Sequence, residues 1–533
     1  MCKCNSLIFA TFAANFLKMK KLYLLFILTA IVLAACQKSK KEIIEKTDDS
    51  AAITTVKVEA KNNPGVTADI NATINGDNEI VAVLPDINAS KNLVLTFTTA
   101  TTGTVVKADN IVQVSGETHT DFSKPVTYTL ETPDGHTATY TVLIKVFTGI
   151  PIFNITTSAP VTSKEDYVKG SIAINANLSF PQEITNMTLQ IRGHGNSSWS
   201  EFPKKPYKIK LDSKAAMLGM PAAKNWVLLA NYNDKTLMRN RIALDLGRAL
   251  GSDFTSDSRY VEVFMNGEFL GNYLLTAHVE VNPNRVNITE LTDKNTSDEE
   301  ITGGYLLELD QRKDEDFWFV TKQNLPFTIK SPEEITPKQF DYIHNYVQQA
   351  EDALFGADFS DPEKGYAKYL DADSFIRWYF VEEILQNEDG RDFSSMFYYK
   401  ERGGKLGMGP LWDFDLSSGN IGNTVAKDPT GIWYVRDATW MSRLAQDPTF
   451  ILKVRKRWSE IKDKEVKQLF ADIDQTAAYL QLSQKQNFIK WPILSTLVWR
   501  NAVALGSYDK EVAYMKDFIT QRVNWMDANM AEF

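Results

Sequence analysis

Residues 387–420 read NEDGRDFSSMFYYKERGGKLGMGPLWDFDLSSGN, and the reading of the longer part of the chain turns on them. Asp389 and Asp392 stand in a loop that follows a helical pattern. Met396 to Lys400 alternates as a strand, Gly403-Gly404 turns the chain, and Lys405 to Met408 is the hairpin partner. The segment closes on Trp412-Asp413-Phe414-Asp415. Aspartates commonly cap turns by accepting backbone amides. Two that flank a short hairpin can also do paired work, one orienting a hydroxyl and the other holding a divalent cation.

Upstream, RGHGNSSW at 192–199 sets glycines in a loop, and PKKPYKIKLD follows as a strand. Such a loop can bring backbone amides and an ammonium to phosphates, or be a plain turn before a solvated lysine face. Alternation puts Tyr207, Ile209 and Leu211 on one face and Lys208 and Lys210 on the other, so it does not choose between the lysines. A second short strand runs from Trp226 to Ala230. A helix is expected from near Asp234, with Leu237, Ile242, Leu244, Leu246 and Leu250 apolar and Gly251 as its stop. Asn266-Gly267 marks a hairpin. GGYLLELD and LPFTIKSPE are two further strands, grouped with those before them into one strand-rich lobe around a single helix. From Thr336 helices take over, first with Phe340, Ile343, Val347, Ala350 and Leu354 on one face. A second begins at an Asp cap, Asp371 or Asp373, and leads into the acidic loop. Past Asn420 the pattern is mostly helical.

Residues 52–148 differ in kind. Short alternating runs are separated by Asn-Gly, Gly-Asp and Asp-Gly turns, as in an immunoglobulin-like β-sandwich. Pro133-Asp134-Gly135 is expected to turn a hairpin between Tyr128 and Tyr140. No cluster of acids, histidines or nucleophiles stands here, which points to a spacer or docking role. After the junction at Phe147 to Pro151, residues 150–533 are taken as a second unit, long enough for two lobes.

The amino-terminal segment reads as targeting. From Met19, the expected true start, two lysines precede the apolar run Leu22 to Val32, and small residues lead to Cys36. Leu33-Ala34-Ala35-Cys36 resembles the lipobox of bacterial lipoproteins. The resemblance implies a signal peptide over 1–36, cleavage before Cys36, and lipid on its thiol. Residues 37–51 read as a polar tether. The three cysteines are Cys2, Cys4 and Cys36, so the expected mature chain folds without disulfides. A formal net charge of −9 argues against a general nucleic-acid surface.

Taken together, RGHGNSSW, PKKPYKIKLD, LLGMPAAKNWVLLANYNDKTLMRN, VEVFMNGEFLGNYLL, GGYLLELD and GPLWDFDLSSGN resemble the CotH kinase family, in the family's order and across nearly all of 150–533. The resemblance implies an α+β, two-lobed fold of the atypical protein-kinase type with a helical carboxy-terminal part, and ATP- and magnesium-dependent transfer of phosphate to protein serines. It implies Asp389 as the catalytic-loop acid, and Asp413 as the magnesium acid with Asp415 sharing the metal. It implies Lys210 as the nucleotide lysine, and Arg192, Gly193, Gly195 and Asn196 as the loop before it. Ser394 stands where ordinary kinases carry a metal-binding Asn, Ala277 where many relatives have Glu, and Asn387-Glu388 where His-Arg precedes the loop acid. The expectation is a lipid-anchored envelope kinase, at the outer membrane of a Gram-negative bacterium, acting on a protein substrate. The competing expectation is a surface lipoprotein without catalysis that binds a glycan or a partner protein through the same fold.

Overall fold

A computed structural model describes residues 51–533. The signal peptide, Cys36 and tether residues 37–50 lie outside the described residues. The chain divides into two compact units, one ending at Ile144 and the other running from Lys145 to Phe533. The first is all-β. One sheet orders Ile70–Asn71, Ile53–Val58, Asn92–Thr99 and His119–Asp121. The other orders Thr73–Ile74, Glu79–Leu84, Thr137–Val146, Val126–Glu131, Val105–Ala108 and Ile111–Val112. Alternation buries Ile80, Ala82 and Leu84 on one strand and Tyr128 and Leu130 on another. Tyr128 and Tyr140 are cross-strand partners across the turn that Gly135 makes at φ 88°.

The second unit begins as a closed barrel of seven strands. These are β1 (Ile152–Thr157), β2 (Val168–Asn175), β3 (Asn186–Gly193), β4 (Tyr207–Met217), β5 (Met220–Leu229), β6 (Ser258–Met265) and β7 (Glu268–Ala277). Their order is β1-β2-β3-β4-β5-β7-β6, closed by a parallel pairing in which Ile152 faces Glu262. Phe153, Ile172, Ile191, Ile209 and Trp226 fill one apolar core. Asn266 and Gly267 turn β6 into β7 with φ 52° and 83°, the double positive φ of a type I′ turn.

The strands expected to complete this lobe do not join it. β8 (Tyr305–Leu309), β9 (Trp318–Val320) and β10 (Pro326–Ser331) form a separate sheet with the acid-bearing hairpin, β11 (Met396–Lys400) and β12 (Leu406–Met408), in the order β9-β10-β8-β11-β12. The barrel is already closed, so it offers no edge. The central strand β8 pairs with β10 on one side and β11 on the other, and Tyr305, Leu306, Leu307 and Leu309 are fully buried. The strand content of 303–333 thus builds the floor under the acids.

Helix α1 (Arg239–Leu250) connects β5 to β6 and ends on Gly251 at φ 72°. It starts at Arg239, five residues later than the Asp234 pattern suggests. The Asp234 carboxylate accepts the Thr236 amide at 3.0 Å and the Arg239 amide at 2.8 Å, and so holds 234–238 as a turn. Helix α2 (Pro337–Phe355) opens on a Thr336/Gln339 capping box. Helix α3 (Ala372–Leu385) is capped by Asp371 and buried nearly all round. The rest is mostly helical: α4 (Thr439–Leu444), α5 (Pro448–Ile461), α6 (Glu465–Tyr479), α7 (Gln481–Lys490) and α8 (Tyr508–Asn529). Glu383 on α3 and Arg522 on α8 form a fully buried ion pair. Glu383 also accepts the Tyr434, Val435 and Arg436 amides at 2.7, 2.9 and 2.8 Å. Among the described residues no helix is long and apolar enough to cross a membrane.

A buried polar cluster joins the barrel to α7. Lys204 donates to Asn487 Oδ1 at 2.9 Å and to the Asn272 carbonyl, and Asn272 donates to Ser483 at 2.8 Å. Nearby, burial pushes the Glu262 carboxyl up to about 7, against a 2.6 Å hydrogen bond from Thr148. The folded chain therefore holds a proton that the unfolded chain has already released between the ordinary carboxylate range and pH 7, so stability falls as pH rises through that window. Glu262→Gln should flatten the decline: thermal melts should show its Tm gaining on the unmodified protein from pH 5 to pH 7.

Candidate functional site

Helix α3 delivers the chain to Asp389. Its last residues are buried, Gln386 takes φ 46°, and Gly390 lies on the carboxyl of Glu382. A Cβ on Gly390 would stand 2.7 Å from Glu382 Oε2, so a larger residue there would have to push that carboxyl aside. Asp389 is 6% exposed, and Ser394 donates to its Oδ2 at 3.4 Å. Ser394, expected beside the metal, is thus set against the loop acid. Asp392 does cap: its carboxylate accepts the Thr439 amide at 2.6 Å and the Thr439 hydroxyl at 2.7 Å, at the start of α4. Of the four aspartates in the opening stretch, this one has the structural role.

Asp413 and Asp415 follow the hairpin, and Asp413 takes φ 63°, a left-handed conformation that costs a non-glycine residue energy. Helix α1 holds this segment. Asn240 accepts the Phe414 amide at 2.8 Å, while Arg239 donates to the Ser417 and Ser418 carbonyls at 2.9 and 3.2 Å. Arg239 is in turn paired with Asp234 at 2.5 Å, both fully buried. Asn420 donates to the Asp415 carbonyl at 2.7 Å, and Asn387 to the Asp413 carbonyl at 3.2 Å.

Asp389, Asp413 and Asp415 act on one another. Burial raises all three; the other acids of the cluster add to the shift at Asp389 and Asp413, while at Asp415 hydrogen bonds with Asn233 and Asp413 oppose it. Asp389 is pushed up to about 7, by burial first and then by the charge of Asp415. Asp413 and Asp415 share a hydrogen bond, and both sit above the usual carboxylate range. Packed acids of this kind hold protons or recruit a cation. Arg312 and Arg500 are the cations that bear on Asp389.

Of the cations expected upstream, Arg192 joins a second cluster with Lys208 and Lys330. Arg192 on β3 and Lys208 on β4 are cross-strand partners. Lys330 on β10 adds a third cation, 3.6 Å from Glu308. All three charges, together with desolvation, depress His194, to about 3, and His278. Desolvation and Arg192 bring Lys208 down to about 8. The ring of His194 lies 6.2 Å from that of Trp412, the residue before Asp413, which brings the cation cluster to the acid segment.

Lys210 is not in this group. It is exposed, with Nζ 6.0 Å from the Tyr167 ring, and it pairs with Gln190, one step further from the glycine loop. Both lysines point outward, but two residues along a strand is about 6.6 Å. Lys208 therefore carries the charge felt at His194 and His278. Glu280, three residues after Ala277, is its nearby acid: each charge acts on the other, and Asn225 donates to Glu280 at 2.6 Å. Sequence reasoning missed Lys330, Glu280 and Glu308, which sit on ordinary-looking strands or just after one.

The glycine loop is built for packing. The Gly193 amide donates to Ser163 O at 2.8 Å and the His194 amide to Pro206 O at 3.1 Å, so neither is free for phosphate. A Cβ on Gly193 would strike the Trp199 ring at 2.5 Å. Gly195 takes φ 79°, and Asn196 Oδ1 accepts from Lys164 at 2.9 Å. Arg192 pairs with Glu165 at 3.6 Å.

The family model described as CotH kinase protein matches residues 190–526. The chain belongs to the CotH kinase family. The matched range takes in both clusters of this CotH-family chain, and it leaves the all-β unit outside. No curated protein matches the chain.

Among the described residues no group of three or more His, Cys, Asp or Glu side chains could hold a metal ion by itself. Magnesium does not ask for one: it commonly takes one or two carboxylates and completes its octahedron with water and phosphate oxygens. Asp413 and Asp415 fit that demand as a buried, hydrogen-bonded pair of carboxyls.

The brace from α1 should be measurable. Arg239→Met leaves Asp234 buried without its cation, at a cost of about 3–5 kcal/mol. Denaturant unfolding should show that loss, and hydrogen exchange at the Phe414 and Ser418 amides should speed up beyond the global effect.

Proposed function

We propose that this CotH-family chain is a lipid-anchored cell-envelope phosphotransferase that moves the γ-phosphoryl group of ATP to a protein hydroxyl. The observation that carries the reading is the meeting of two clusters, three buried acids and three cations, linked by Trp412, which precedes Asp413 and whose ring lies 6.2 Å from that of His194 among the cations. Lys208, Lys330 and Arg192 would neutralise the phosphates, while Asp413 and Asp415 would hold the metal. Magnesium, when bound there, would supply charge neutralisation of the transferring group. Asp389 would orient the acceptor hydroxyl and take its proton as the oxygen bonds to phosphorus and ADP leaves. Its elevated pKa and its burial suit a group that receives a proton.

Lipid on Cys36 would hold the protein at the membrane, with 37–51 as tether and the all-β unit as an immunoglobulin-like spacer. The two lobes would correspond to the barrel and to the sheet-and-helix part that follows it.

Thermal shift with Mg-ATP tests the nucleotide claim. Stabilisation should depend on magnesium and be lost in Asp413→Asn. Lys208→Met should weaken it markedly and Lys210→Met only slightly. Asp389→Asn should keep nucleotide binding and abolish transfer. A protein that shows no shift at millimolar Mg-ATP would leave a surface lipoprotein that binds a glycan or partner protein.

A further inference from the structure

The two cations that bear on Asp389, Arg312 and Arg500, stand on two loops of like construction. On one, Arg312 lies 5.4 Å over the ring of Phe393, which is 41% exposed. On the other, Arg500 lies 4.9 Å over the ring of Trp499, which is 46% exposed beside Leu497 at 65%. Both loops are braced. Gln311 donates its amide to Phe393 O and its side chain to Asp392 O, each at 2.9 Å. Asn501 donates to Asn233 O at 2.7 Å and to Asn420 Oδ1 at 2.9 Å, and the Gly422 amide donates to Arg500 O at 2.8 Å. Exposed apolar side chains on a loop so firmly held are not explained by packing of the chain's own core.

The charges of the loops differ. Arg312 is paired with Asp310 at 3.2 Å. Arg500 has no carboxylate within salt-bridge distance among the described residues, and its charge reaches Asp389 without a hydrogen bond to it. Among the described residues it is a cation without a carboxylate partner, it has a bulky apolar neighbour, and its charge bears on Asp389.

We propose that the loop of Leu497, Trp499 and Arg500, with Phe393 and Arg312, is the docking groove for an extended acceptor polypeptide. It selects a hydroxyl residue flanked by an acidic side chain, with a bulky apolar residue beyond. Arg500 receives the carboxylate, and Trp499 and Leu497 receive the apolar residue. The proposal rests on the phosphotransferase reading. It adds the class of acceptor, and charge complementarity decides the occupant: an acidic segment meets the unpaired guanidinium of Arg500, whereas a basic one would be repelled by it.

A serine-centred peptide library with the full-length protein and Mg-ATP tests it, read as phosphate incorporated at each flanking residue type. Asp or Glu, followed by Phe, Leu or Trp, should be selected by about tenfold over Lys or Arg. Arg500→Glu should reverse the charge preference and so gain on basic peptides, a result that misfolding cannot produce. Trp499→Ala should erase the apolar preference and leave the acidic one. Transfer with no flanking preference, a preference for basic residues, or an acidic preference that survives Arg500→Glu would overturn the groove. No transfer to any peptide while Mg-ATP still stabilises the protein would overturn the polypeptide acceptor alone. Absence of Mg-ATP binding would overturn the reading beneath it.

Discussion

The site depends first on one buried ion pair. Asp234 and Arg239 sit in the short turn that leads into α1, with neither side chain exposed. The pair is useful because Arg239 has donors to spare. They reach the Ser417 and Ser418 carbonyls and so fasten the segment that carries Asp413 and Asp415. Desolvating two charges is costly, and an apolar pair of equal volume could match the stability. What an apolar pair could not supply is directional bonding to two carbonyls in a segment with φ 63° at Asp413 and 49° at Ser418. The Glu383–Arg522 pair does the same for the far end of α3, gathering three amides of 434–436 and the carbonyls of Pro429 and Ile432.

With backbone fixed by these pairs, the electrostatics of the cleft follow. Acids crowd in a buried floor, cations crowd on the barrel face and on β10, and neither set neutralises the other directly. The acids are held in an unfavourable state that a bound cation would relieve, and Lys208 in one that a bound anion would relieve, while Arg192 and Lys330 already have carboxylate partners in Glu165, Glu308 and Glu315. On the proposed reading a metal would answer the acids and polyphosphate the cations. Strain in the backbone belongs to the same pattern. Gln386, Asp392, Ser395, Asp413 and Ser418 all have positive φ within one short stretch. Such conformations persist only where surrounding bonds over-determine them.

Much of this was legible in the sequence. Alternation with an Asn-Gly turn identifies the β6–β7 hairpin, and alternation with Pro133-Asp134-Gly135 the hairpin between Tyr128 and Tyr140, because local chemistry alone decides them. Gly251 stops α1 where periodicity says it should, and Asp371 caps α3. The family is carried by motifs whose order survives in the matched range 190–526. Partition of strands was not legible: nothing local tells β8 and β10 to join the acid hairpin when β7 has just closed a barrel. The choice between Lys208 and Lys210 was equally hidden, since alternation gives both the same face. The helix start shifted for a similar reason, because a side-chain bond from Asp234 outweighed the propensity of the residues after it. Lys330, Glu280 and Glu308 gain their meaning only from the approach of distant strands.

The central claim is that these two clusters hold one nucleotide with its metal. A crystal structure of the protein grown with magnesium and a non-hydrolysable ATP analogue tests it most directly. The account predicts a metal ligated by Asp413 and Asp415, phosphate oxygens within hydrogen-bond reach of Lys208 and Lys330, and Asp389 free of the metal. Nucleotide bound at Lys210 or outside the cleft, or a cleft that stays closed to it at saturating concentration, would contradict the account.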